Sequence, residues 1–124
     1  MKTPPAYPRN NFDVVIVHKI TELYKKLYKI SQKVSKRDKF GIFLKIENAC
    51  LETLSLSVRA AFTPRIEKSK FISHLRVVTE LLKNLIRITY EVNIIDQKIY
   101  LDLQTDLQEI SKMGWGWLDF IRKQ

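Results

Sequence analysis

From Ile16 onward the apolar residues recur as Ile16, Ile20, Leu23, Leu27, Ile30 and Val34, separated alternately by four and three positions. That repeat keeps them on one face of an α-helix and predicts a first helix over about 12–36. A polar break from Ser35 to Lys39, with Gly41 beyond it, precedes a second periodic run of Phe43, Ile46, Cys50, Leu54, Val58 and Ala61. This predicts a helix over 41–62. Thr63-Pro64 ends it, because the residue before proline avoids helical dihedrals and proline has no N–H to donate.

The third pattern, over 68–92, places Phe71, Leu75, Val78, Leu82 and Leu85 on one line. Val77, Leu81 and Ile88 flank that line on one side, and Ile72, Ile86 and Tyr90 on the other. An apolar arc wider than about 100° implies burial on more than one side, either by self-association or by a central position in the monomer. Asp96 is placed to cap a fourth helix over 97–122, whose core line reads Tyr100, Leu103, Leu107, Ile110, Gly114, Trp117 and Ile121. Four long helices joined by short connections, with no strand pattern, predict an all-α, antiparallel up-down four-helix bundle over 12–124. Residues 1–11 are expected to form a flexible leading segment.

Charge is distributed unevenly over this pattern. The chain of 124 residues has a net charge of +9, of which +8 falls in residues 1–45 (11 basic, 3 acidic side chains). On the first helix Lys19, Lys25, Lys26, Lys29, Lys33 and Lys36 project away from the apolar line, with only Glu22 among them. Arg37, Lys39 and Lys45 follow at once. These nine cations are the candidate phosphate contacts, since a one-sided basic surface binds nucleic acid by releasing condensed counterions.

Near the C-terminus, Gly114 and Gly116 interrupt a helical pattern at a cost of about 1 kcal/mol each relative to alanine. Gly114 on the core line would let a neighbouring backbone or a large ring approach closely. Trp115 and Trp117 project in nearly opposite directions, so one is buried and the other is exposed or at a subunit contact. Gly114, Trp115, Gly116 and Trp117 are therefore candidate packing or interface positions.

Catalytic chemistry finds no constellation here. His18 and His74 are far apart, no Glu-x-x-His pair is present to build a di-iron site, and no Cys/His cluster suggests zinc. Three glycines form no phosphate-cradling loop. We expect no enzyme, no cofactor and no metal. Cys50, the sole cysteine, is compatible with a reducing compartment, and no signal-peptide pattern or membrane-length apolar run occurs, so a cytoplasmic protein without a membrane partner is expected.

Residues 33–54, KVSKRDKFGIFLKIENACLETL, and 107–117, LQEISKMGWGW, carry a resemblance to a known family. The chain resembles, over about 12–123, small four-helix-bundle proteins that include the accessory variability determinant of diversity-generating retroelements and proteins encoded by intervening sequences of ribosomal RNA genes. It departs from their usual pattern at Val34-Ser35, where Phe-Pro is common, and at Gly114 to Trp117, where Leu-Gly-Gly-Trp is common. The resemblance implies a homopentameric barrel of bundles that binds RNA or cDNA and partners a reverse transcriptase in mutagenic cDNA synthesis. The ribosomal-insertion branch implies an oligomeric protein–protein scaffold instead, with the lysine face merely solvated. A basic amphipathic helix on an anionic membrane would need the first helix's apolar line exposed, and that line is the best core stripe in the chain.

Overall fold

The computed structural model describes residues 12–123. The leading segment 1–11 lies outside the described residues. Four long helices, α1 (Phe12–Ser31), α3 (Ile42–Phe62), α4 (Arg65–Glu91) and α5 (Gln97–Arg122), are joined by short connections, and a five-residue helix, α2 (Lys36–Phe40), sits in the first of them. Among the described residues there is no strand. Each long helix packs against its neighbours in sequence and α5 closes back onto α1, which makes an up-down four-helix bundle. Side-chain pairs set its antiparallel sense: Lys19 meets Glu109 and Lys26 meets Asp102, seven residues apart on each helix but in opposite order.

The core is the set of apolar lines read from the periodicity. Ile16, Ile20, Leu23 and Leu27 of α1, Phe43, Ile46 and Cys50 of α3, Leu75, Val78 and Leu82 of α4, and Leu103, Leu107, Ile110 and Trp117 of α5 are all buried. Asp96 caps α5 as expected, its carboxylate accepting from the Ile99 amide at 2.9 Å.

Two boundaries differ from the sequence expectation. The first helix stops at Ser31 and not at 36. A separate turn of helix then starts at Ser35, whose hydroxyl accepts from the Asp38 amide while donating to the Asp38 carboxylate. This serine N-cap satisfies one free amide of the new turn, with the Asp38 carboxylate fixing the hydroxyl, and favours a fresh helix start over continuation of α1. At the other boundary α4 begins at Arg65 and not at 68, with Pro64 as its cap residue. Proline needs no donor there and its fixed φ suits a helix start.

The wide apolar arc of α4 resolves into two unlike sides. Ile72 and Ile86 are buried in the bundle, whereas Val77, Leu81 and Ile88 are exposed, Val77 by 67%. A central position in the monomer is thus not the reason for the arc. At the other end of the chain Trp117 is 1% exposed and Trp115 55%. Close approach at the two glycines comes from side chains and not from backbone: a Cβ on Gly114 would lie 3.2 Å from the Arg76 stem, and one on Gly116 would lie 3.0 Å from the Phe12 ring. The Arg76 guanidinium carbon then sits 3.2 Å from the centroid of the Trp115 ring, a cation–π stack that covers Gly114. The buried Trp117 indole N–H has no partner among the described residues.

Candidate nucleic-acid interface

The end of α1, the α2 linker and the start of α3 lie at the same end of the bundle as the α4–α5 connection and the start of α5, as the antiparallel topology requires. Two adjoining hollows open there. One, about 550 Å³, is lined by Lys29, Ile30, Lys33 and Val34 of the α1 end and by residues 93–96 and Ile99 of the facing connection. The second, about 450 Å³, follows the seam between α1 and α5 and is lined by Lys26, Lys29, Ile30, Lys98, Ile99 and Asp102. Ile30 and Ile99 form a floor shared by both, and Lys29 borders both. Lys33, Lys29, Lys26 and Lys98 therefore border one trough with an aliphatic floor.

Lys19, Lys25, Lys26 and Lys29 share the side of α1 opposite its apolar line, but the nine predicted cations do not all line the trough. Only Lys26, Lys29 and Lys33 line the trough. Lys19 lies farther along the seam, bonded to Glu109 at 3.2 Å. Lys25, one turn before Lys29, borders the neighbouring groove between α1 and α3 and pairs with Glu22 at 3.0 Å. That bond pulls the Glu22 carboxyl below its ordinary pKa. Lys36, Arg37 and Lys39 ride on α2, where Lys36 and Arg37 are exposed, and the Lys39 ammonium lies 5.9 Å from the Phe40 ring centroid. Lys45 is exposed on the flank of α3 that carries Glu52 two turns later, next to His74 and away from the seam. The single lysine face drawn from a continuous helix over 12–36 is corrected on this point: with α1 ending at Ser31, Lys33 and Lys36 leave its helical register.

Lys26 is the most constrained of these cations. Its Nζ lies 2.7 Å from Asp106 and 2.9 Å from Asp102. The bond to Asp106 in particular holds its pKa above the ordinary lysine value, against a smaller opposing effect of burial. By contrast Lys29, Lys33 and Lys98 make no ion pair among the described residues. They are exposed, and their charge is available at the rim. Lys98 escapes a reading of the sequence because it lies about seventy residues from Lys29 in a segment of balanced charge. A signal is nonetheless present: Lys98 shares one flank of α5 with Asp102, Asp106 and Glu109, and those three carboxylates are complementary to Lys26 and Lys19 when α1 and α5 are run antiparallel.

Groups outside the trough show little chemistry. The Cys50 thiol is fully buried against α1, 3.8 Å from the Ile20 carbonyl, and burial pushes its pKa up to about 12. It behaves as a small core hydrophobe. His74 is exposed, with Nε2 3.6 Å from Glu52. Among the described residues no group of His, Cys, Asp and Glu is arranged to hold a metal ion, and no helix is long and apolar enough to cross a membrane.

A protein-family model described as bAvd-like matches residues 14–121, which spans all four long helices. No curated protein matches the chain.

Proposed function

The chain belongs to the bAvd-like family, and from that premise we propose that it is a non-enzymatic accessory protein, needing no cofactor, that binds RNA or cDNA and partners a reverse transcriptase. The observation that carries this reading is the trough at one end of the bundle, where the unpaired Lys33, Lys29 and Lys98 border a shared aliphatic floor with the carboxylate-bound Lys26 between them. Cations on such a rim neutralise phosphates without reading bases, so they supply affinity and position while sequence choice rests elsewhere. Lys36, Arg37 and Lys39 on α2 extend the positive field beyond the rim.

The proposed assembly is a homo-oligomer, a pentamer by the family resemblance, in the cytoplasm. Its support is the exposed apolar side of α4, Val77, Leu81 and Ile88, which is unusual for a monomer surface and suited to a subunit contact. Repeating the trough around a ring would multiply weak contacts into useful affinity. Trp115, half exposed and stacked with Arg76, has the composition of an interface anchor. The same α4 stripe favours the second reading, a protein–protein scaffold of the ribosomal-insertion type.

Affinity for a structured RNA over a salt series separates the two. We expect a steep log-log salt dependence in the native protein. Replacing Lys29, Lys33 and Lys98 by Gln should make it shallower, by about 0.7 to 0.9 for each phosphate no longer neutralised. Negligible RNA binding near physiological salt would overturn the nucleic-acid reading in favour of the scaffold. Co-purification with a reverse transcriptase, abolished or preserved by the same variant, tests the partner.

A further inference from the structure

The lysines of the trough explain attraction to phosphate but not the shape of the cleft between them. Ile30, Val34, Ile94, Ile95 and Ile99, all β-branched, make up most of the lining of an open hollow of about 550 Å³ that Lys29 and Lys33 also border. That volume lies within the ordinary range for small-molecule sites, about 300–1,000 Å³. Polar groups border the opposite side. Asn93 holds a left-handed backbone conformation, φ 65°, in the turn that closes α4. Asp96 spends one carboxylate oxygen, Oδ1, on the Ile99 amide, and no bond occupies its other oxygen among the described residues.

We infer that this cleft receives a single unpaired nucleobase of a bound nucleic-acid strand, with the phosphates flanking that base held by Lys29 and Lys33. The inference deepens the proposed nucleic-acid function and rests on it. Three features select this occupant. The unpaired rim cations continue past the cleft to Lys98, beside the carboxylate-bound Lys26, which suits a ligand with repeated anionic charges and not one with a single head group. The hollow is lined mostly by aliphatic side chains and has the volume of a small-molecule site, which accounts for a ligand that carries flat faces as well as phosphates. Its polar edge offers an amide and a carboxylate oxygen, able to donate to and accept from the edge of a base. A base within a duplex is already paired and stacked, so the cleft discriminates by strandedness, a property that surface lysines alone do not provide.

The test measures binding of the full chain to three fluorescent probes of equal length: oligouridine, the same sugar–phosphate backbone with abasic sites, and an RNA duplex. Oligouridine is expected to bind roughly ten-fold tighter than the abasic strand, the change associated with moving a ring-sized apolar surface out of water. Ile94→Trp, which fills the cleft, should erase that difference and leave the salt slope unchanged. Asn93→Gly is the second variant, because glycine accepts φ 65° without strain and only the side-chain amide is removed. It should weaken oligouridine selectively even if Ile94→Trp fails to fold. Equal, salt-dependent affinity for all three probes overturns base insertion while leaving the proposed function standing. No binding of any probe overturns both. Competition for the cleft by an acidic, leucine-bearing peptide but not by oligouridine would also overturn the inference, assigning the site to a protein partner.

Discussion

Asp102→Asn combined with Asp106→Asn should strengthen RNA binding, and the gain can be worked from the geometry of Lys26. The two carboxylates sit 2.9 and 2.7 Å from its Nζ and hold it on the α5 side of the trough. Both pairs are partly solvated, so removing them costs about 0.2–1 kcal/mol each, small beside the roughly 5–15 kcal/mol that stabilises an ordinary domain. Released from the carboxylates, the ammonium joins Lys29, Lys33 and Lys98 on the rim. One additional phosphate contact to a single strand steepens the log-log salt slope by about 0.7, which corresponds to about three-fold tighter binding on going from roughly 200 to 50 mM salt. Removing two negative charges within about one Debye length, ~10 Å at 0.1 M, acts in the same direction. Fluorescence anisotropy with a labelled single-stranded RNA, at matched oligomeric state, reads both slope and affinity. Lys19→Gln serves as the control, since Lys19 is bonded to Glu109 and lines neither hollow. Unchanged or weaker binding by the double Asn variant, with fold and assembly intact, would refute the reading that Asp102 and Asp106 withhold Lys26 from phosphate.

Other outcomes follow from burial and packing. Trp117→Ala should destabilise the bundle by about 3–5 kcal/mol in urea unfolding. Trp115→Ala should cost no more than about 1 kcal/mol, the scale of an exposed cation–π contact. Trp117→Phe should be mild, because it keeps most of the packing and removes a buried indole N–H that has no partner among the described residues. Val77→Lys with Leu81→Lys should shift sedimentation toward monomer without changing helicity, if the exposed α4 stripe is the subunit contact. Cys50 should resist alkylation at pH 8 until the chain unfolds, because its thiol is buried and ionises only near pH 12. The raised thiol pKa has a second consequence: stability from this group is full below its unfolded value near 9 and declines as pH rises from there toward 12. Cys50→Val should flatten that decline in pH-dependent unfolding.

Much of this molecule follows from local rules. The spacing of Ile16, Ile20, Leu23 and Leu27, or of Leu103, Leu107 and Ile110, is a geometric demand of one helix face, and all of these residues are buried. Asp96 is readable as a cap for the same reason, since its carboxylate reaches amides only three positions ahead. The end of α1 is harder to see, because the apolar line continues through Ile30 and Val34 while the Ser35 N-cap starts a new helix beneath it.

Which charges remain available is settled by the closed bundle and not by the chain's local pattern. Lys19, Lys25 and Lys26 look equivalent to Lys29 and Lys33 in sequence, yet α5 carboxylates occupy two of them and Glu22 the third. Lys98 joins the trough only because α5 runs back alongside α1. The two tryptophans are likewise divided by packing, with Arg76 covering Trp115 and the core enclosing Trp117. Helix formation depends on interactions three or four residues apart, so periodicity reports it directly. The electrostatic character of a surface depends on partners brought from distant parts of the chain, and those distances are set only when the bundle closes.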